Sequence, residues 1–190
     1  MTELNEHARH ANTVPLISKE RIEERVRALA LEIRQVYAAE PPVVVAVLKG
    51  SFVFVADLLR ALGLDCSLEF ISVGSYVGAK SSGAVGIKLD VSSDIEGREV
   101  LVVEDIVDSG LTLDHIVGLL QAKRPKRIMV ATLLFKPSAF RGAVKPQFIG
   151  FEVGPEFVVG YGLDLDGRYR WLPDIHVASE VEARGSPADK

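Results

Sequence analysis

The chain has 190 residues, 48% of them apolar, enough to bury one sizeable core and, by length, to form a single domain over 1–190. Its net charge of −4 and pI near 5.6 exclude a general attraction to nucleic acid or an anionic membrane, so an anionic ligand must be met by local donors. The single cysteine, Cys66, excludes an internal disulfide framework and a thiolate zinc site, and fits a reducing compartment.

Residues 1–15 read as a flexible polar lead-in with no apolar signal core, and no apolar run reaches membrane-spanning length; a cytoplasmic protein is expected. Ser18 is placed to cap a helix in which Ile22, Val26, Leu29, Ile33 and Val36 recur every three or four residues, until Pro41 and Pro42 end it. Residues 43–48 are a continuous apolar run, suited to a strand buried on both faces, and Lys49, Gly50 and Ser51 form the turn after it. Helical periodicity covers 52–62. Cys66, Leu68 and Phe70 then alternate as on a strand with one face covered, the cysteine as a small hydrophobe.

From Ser75 and Tyr76 to Gly86 the chain is rich in glycine and serine, the pattern of a long mobile loop of functional use. Residues 100–103 form a second buried strand ending in Glu104 and Asp105, followed by a polar turn and a helix over 112–122. A third strand over 128–135 ends at Lys136 and Pro137. Strands alternating with helices imply an α/β fold, a mostly parallel twisted sheet flanked by helices, with ligands beyond the carboxyl ends of its strands. Short strands at 148–151 and 157–160 lie within 145–175, which reads as a small hood completed by the N-terminal segment, with Trp171 packed near it; 180–190 reads as a disordered tail.

The densest chemistry lies at residues 104–112. Backbone amides from Asp108 through Ser109, Gly110 and Leu111 to Thr112, with two hydroxyls, can surround a phosphate, because first-turn N–H groups lack intrahelical partners and the helix dipole favours an anion. Glu104 and Asp105 repel that phosphate but suit sugar hydroxyls and a hydrated Mg²⁺, so a phosphorylated sugar fits better than bare phosphate. Taken alone, the turn is equally compatible with Asp108 or Ser109 simply capping a helix. Neither a Gly-x-Gly-x-x-Gly fingerprint nor a Gly-x-x-x-x-Gly-Lys-Ser/Thr loop is present, which disfavours dehydrogenases and P-loop enzymes.

Residues 103–112 resemble the phosphoribosyl pyrophosphate (PRPP) signature of type I phosphoribosyltransferases, above all the hypoxanthine-guanine branch. The likeness extends from about residue 43 to 173, with Lys49-Gly50, Ser75-Tyr76, Lys136-Pro137 and residues 157–164 in family order. The resemblance implies Mg²⁺ as cofactor and PRPP with hypoxanthine or guanine as substrates. Glu104, Asp105 and Asp164 would serve the metal, and Lys49, Gly50 and Arg170 the pyrophosphate, with a non-proline cis peptide after Lys49. Asp108 would be the general base at N7 of the purine, and the Ser75-Tyr76 loop a closing flap. Lys136, Phe157, Val158 and Asp164 would form the purine pocket, Lys136 donating to the 6-oxo group. The family likeness also suggests a homodimer or homotetramer.

Leu111, Phe135 and Ala139-Phe140-Arg141 depart from parts of the family pattern. The four histidines have no metal-ligand spacing. Within the enzyme class, a xanthine-preferring relative competes. Outside it stand an RNA-binding regulator of the same fold, needing a basic surface such as Lys123-Arg124-Pro125-Lys126-Arg127, and a phosphoryl-accepting receiver.

Overall fold

Every side chain of β2 (Val43–Val47, sequence VVVAV) is buried, as expected of a strand covered on both faces. The computed structural model describes residues 13–75 and 85–178 and sets β2 inside a six-stranded sheet. On one side β2 pairs in parallel with β3 (Ser67–Ser75), which carries the antiparallel β4 (Val85–Leu89). On its other side lies β5 (Glu99–Val107), followed by β6 (Arg127–Phe135) and β7 (Phe148–Glu152), all parallel. The order β4-β3-β2-β5-β6-β7 reverses its winding between β2 and β5. At such a switch point the two following turns diverge and leave a crevice beyond the strand ends.

Alternate residues of β2 divide the core in two. Val44 and Ala46 face α1 (Lys19–Tyr37) and α2 (Phe52–Leu62), while Val43, Val45 and Val47 face α3 (Leu111–Gln121) through Leu113, Ile116, Val117 and Leu120. Ser18 caps α1 by accepting from the Arg21 amide. The last turn of α1 rotates away from the expected stripe. Val36 is 40% exposed, and Tyr37 is buried instead, its ring beneath the Arg127 guanidinium and its hydroxyl donating to the Val100 carbonyl.

A second, antiparallel sheet joins β1 (Thr13–Ile17), β9 (Ile175–Ala178) and β8 (Val158–Val159), so a hood does form from the two ends of the described chain. Residues 148–152, expected in that hood, are the edge strand β7 of the main sheet. Phe148 enters the α1-side core, and Arg25 of α1 donates to the Ile149 and Gly150 carbonyls. The alternation at 66–70 is real but faces the other way. Glu69 and Ile71 are covered, with Glu69 accepting from Ser92 and Ser93, whereas Leu68 and Phe70 are exposed.

The expected loop over 75–86 is shorter. Ser75 ends β3 and Val85 and Gly86 open β4, a strand hidden in the sequence by its surrounding glycines; Tyr76 and the rest of 76–84 lie outside the described residues, as do 1–12 and 179–190. β5 also runs past its expected end to Val107, held by β6 pairing at Glu104, Ile106 and Val107. Trp171, expected to pack, is 64% exposed. Among the described residues no helix is long and apolar enough to cross a membrane.

The two positions on α1 test this packing. Ile33→Ala removes a fully buried side chain and is expected to cost about 2–5 kcal/mol in chemical denaturation. Val36→Ala should stay within about 0.5 kcal/mol of the parent, as a surface change does.

Candidate active site

The turn from β5 into α3 depends on Gly110, whose φ of 84° lies in the left-handed region. A side chain there would strike the Phe140 ring as well. The turn points the first amides of α3 outward, at a recess of about 110 Å³ lined by Glu104, Asp108, Ser109, Gly110 and Thr112 among others. The segment after β6 supports the turn from outside. Arg141 N donates to Ser109 O (2.8 Å), and the Asp114 carboxylate accepts from the Ala143 and Val144 amides (2.8 Å each at the shortest). Two of the departures noted in the sequence thus have a packing role, since Phe135 packs edge-on to Phe140 at 5.3 Å, and Phe140 covers Gly110. Leu111 is exposed at the helix start.

Glu104 and Asp105 lie at the base of the crevice, on β5 rather than after it. Glu104 Oε2 is buried without a hydrogen-bond partner, and burial, then the adjacent Asp105 charge, push its carboxyl well above the usual range. Burial likewise raises Asp105 to about 6, against backbone amide hydrogen bonds and the Arg170 charge, which lower it; the Asp164 charge adds to the rise. Gly50, after β2, touches this group so closely that a Cβ would overlap the Asp105 carboxylate. The cis peptide is Leu48–Lys49, one residue before the expected place, and Leu48 N donates to Ile71 O just beyond the end of β2. Lys49 itself is exposed.

The hood supplies the third wall. Gly162, with φ of 101°, has no room for a Cβ because the Gly50 carbonyl occupies that space. Arg170 donates to the Gly162 carbonyl at 2.6 Å and pairs with Asp164 at 2.6 Å, so Arg170 and Asp164 arrive as one unit beside Asp105. Among the described residues no three His, Cys, Asp or Glu side chains converge into a metal cage. Glu104, Asp105 and Asp164 therefore do not form one by themselves, although the Asp105 charge acts on Glu104 and the Asp164 charge on Asp105.

At the other end of the crevice Lys136, 6% exposed, sets its ammonium 3.1 Å from Asp108 and donates weakly to the Pro155 carbonyl at 3.5 Å. Phe157 is 44% exposed two residues beyond Pro155, and Val158 is buried in β8. Glu104, Asp105, Asp108, Ser109, Gly110, Thr112, Gly50, Asp164, Arg170 and Lys136 are thus linked through the contacts above. Ser75 ends a strand, and Tyr76 lies outside the described residues. Asp114, Gly162 and the Pro155 carbonyl were not picked out in the sequence; an acid in the first turn of α3 was the only visible signal, and it had the plain reading of a helix-dipole partner.

A sheet wound outward from its centre, with paired acids beside the start of a helix at the switch point, marks the chain's class. It belongs to the phosphoribosyl transferase family, whose phosphoribosyl transferase domain matches residues 17–166. Its similarity is to a particular branch. The chain is 44% identical over 163 residues to the hypoxanthine-guanine phosphoribosyltransferase of Bacillus subtilis, covering 85% of this chain and 91% of that one. A crystal structure of a hypoxanthine-guanine phosphoribosyltransferase from Bacillus anthracis, with HEPES in its active site, superposes with a TM-score of 0.82 at 42% identity, covering 87% of this chain and 98% of that one. The hypoxanthine phosphoribosyltransferase of Trypanosoma cruzi, in complex with its product IMP, gives 0.84 at 38% identity over 95% and 97%.

The raised carboxyl of Asp105 has a consequence for stability. An unfolded aspartate ionises near ~3.9, so between that pH and about 6 the folded chain holds the extra proton. Stability from this group is present below pH ~4 and lost as pH rises through 6. Asp105→Asn should therefore raise the Tm of metal-free, ligand-free protein more at pH 7.5 than at pH 4; equal shifts at both values would contradict the burial argument.

Proposed function

We propose that the chain transfers the 5-phosphoribosyl group of PRPP to N9 of hypoxanthine or guanine, giving IMP or GMP and pyrophosphate. The Lys136–Asp108 pair at the edge of the amide recess carries the reading. Lys136 offers only donors and suits the 6-oxo group, which sets a 6-oxopurine apart from adenine, while Asp108 offers an acceptor for the N7 proton on the same edge of the base. Two side chains 3.1 Å apart thus suit neighbouring groups of one purine edge. The names of its relatives in Bacillus subtilis and Bacillus anthracis support the same substrate class.

In this reading the 5′-phosphate lies on the amides from Asp108 to Thr112, including Ser109, Gly110 and Leu111, and Glu104 and Asp105 hold the ribose hydroxyls. Phe157 stacks on the purine and the Val158 backbone meets its edge. N9 attacks the anomeric carbon as its bond to the pyrophosphate oxygen breaks, and Asp108 takes the N7 proton. The ribose gains positive charge in the transition state, which the adjoining carboxylates stabilise; Lys49, Gly50 and Arg170 receive the departing pyrophosphate.

Hard oxygen donors and an orphaned Glu104 oxygen fit Mg²⁺. With no protein cage among the described residues, the ion would be held by Glu104, Asp105 or Asp164 singly, with waters and substrate oxygens completing its shell. Bound there, it would neutralise pyrophosphate charge. We further place the enzyme in the cytoplasm as a homodimer or homotetramer, to which the exposed apolar Phe52, Leu68 and Phe70 lend support.

The regulator reading loses its basic footprint. Lys123 pairs with Asp90, Arg124 with Glu96, Lys126 with Glu40 and Glu99, and Arg127 with Glu99, so the cations between α3 and β6 are already neutralised. A phosphoryl-accepting receiver does not account for the phosphoribosyl transferase domain match over residues 17–166.

A turnover assay of hypoxanthine, guanine, xanthine and adenine with PRPP and Mg²⁺ tests the proposal. IMP and GMP should form, chelation should stop the reaction, and adenine should react about 10⁴- to 10⁵-fold less well because its amino group faces the Lys136 donor. Xanthine outpacing both other oxopurines would transfer the assignment to the xanthine branch. Asp108→Asn should lower kcat by ~10²- to 10⁴-fold while IMP still binds in calorimetry, and full activity in that variant would remove Asp108 from the chemistry.

A further inference from the structure

Two walls of the crevice come from parts of the chain more than a hundred residues apart: the turn after β2 with α2, and the hood turn around Gly162. Backbone contact between them is close, since the Gly50 carbonyl fills the space beside the Gly162 α-carbon. One side-chain hydrogen bond fastens them together. The Tyr161 hydroxyl donates to Asp57 Oδ2 of α2 at 2.7 Å, while Asp57 Oδ1 accepts from Arg60 at 3.1 Å.

Resting on the phosphoribosyl-transfer reading, we propose that Tyr161 and Asp57 are positioning residues for the pyrophosphate end of the site. They hold the Gly162–Arg170–Asp164 unit against Gly50 and Asp105.

The geometry of the turn explains why a bond is needed there. Tyr161 has φ of 49° between Gly160 at 98° and Gly162 at 101°, three successive left-handed residues, of which only the tyrosine carries a side chain. Its amide donates to Leu172 O, and Gly162 N to Arg170 O, so the turn is tied to the segment that returns with Arg170. Those bonds fix the hood internally but not its place on α2. The ring is 7% exposed, set against the Val26 and Ala61 side of a cleft between α1 and α2, and Asp57 is the hydroxyl's partner there. Neither residue lines the recess under the amides. They act through Gly162, whose carbonyl orients Arg170, whose guanidinium pairs with Asp164.

Losing this bond should misplace Arg170 relative to Gly50 and leave the amide recess and the Lys136–Asp108 pair undisturbed. Pyrophosphate and PRPP binding should therefore weaken while nucleotide binding does not. The experiment uses the full-length chain with Mg²⁺ and compares KM for PRPP, pyrophosphate and IMP, with pyrophosphate binding followed by calorimetry. Tyr161→Phe should raise KM for PRPP and pyrophosphate about 3- to 10-fold and leave that for IMP within about twofold. Asp57→Asn keeps an acceptor for the hydroxyl and should stay near the parent, whereas Asp57→Leu should match Tyr161→Phe with no further loss in the double variant. Unchanged pyrophosphate affinity in Tyr161→Phe, or an equal weakening for all ligands together with a lowered Tm, would overturn the inference. A parent chain that makes no nucleotide would overturn the functional reading instead, and calorimetry with pyrophosphate would still decide the role of Tyr161.

Discussion

A carboxylate buried without a partner is unfavourable, and β5 carries one such oxygen, on Glu104, next to a second acid whose ionisation is also opposed by burial. Both side chains are fixed there by the strand itself, which is paired with β2 on one side and β6 on the other. Glu104 Oε2 thus has no partner among the described residues, while Asp105 accepts from backbone amides. The surrounding walls are arranged around that deficit: Gly50 contributes no side chain, so the turn after β2 comes into contact with Asp105, and the absence of a Cβ at Gly162 lets the hood reach Gly50. Restoring a side chain at either glycine would separate elements that the acids need close by.

Charge within the crevice is graded along its length. Arg170 and Asp164 neutralise each other at one end, the paired acids are central, and the amides of α3 with Lys136 and Asp108 occupy the other end. In the proposed reading an acidic chain meets its polyanion with backbone dipoles and the Arg170 guanidinium rather than with a general surface field. The Lys136–Asp108 pair also holds both groups in place without ligand. Lys136 is almost wholly buried and would otherwise face only the Pro155 carbonyl.

The outer support of the amide ring is local to this chain's own sequence. Phe135, Phe140 and Asp114 together hold the segment after β6 against Ser109 and Gly110, using one aromatic contact and two main-chain hydrogen bonds to a single carboxylate. Aromatic packing and the Asp114 acceptor close the turn from both sides.

Much of the layout was legible from periodicity. The all-apolar 43–48 run suited a central strand, and the three-and-four spacing of Ile22, Val26, Leu29 and Ile33 a helix with one covered face, from which Val36 alone departs. The residues at 104–112 suggested an anion turn beside acids, but alone they suited a capped helix equally well, and the resemblance to a known family tipped the reading. Local pattern did not reveal which face of the 66–70 alternation turns inward, because Glu69 is buried by hydrogen bonds from Ser92 and Ser93, residues of another segment. Nor did it reveal that 148–152 completes the main sheet, that Asp108 meets Lys136, or that Tyr161 meets Asp57. Periodicity reports the environment a stretch of chain requires; which distant stretch supplies it, and at what distance two polar groups meet, is decided only when the strands take their order in the sheet.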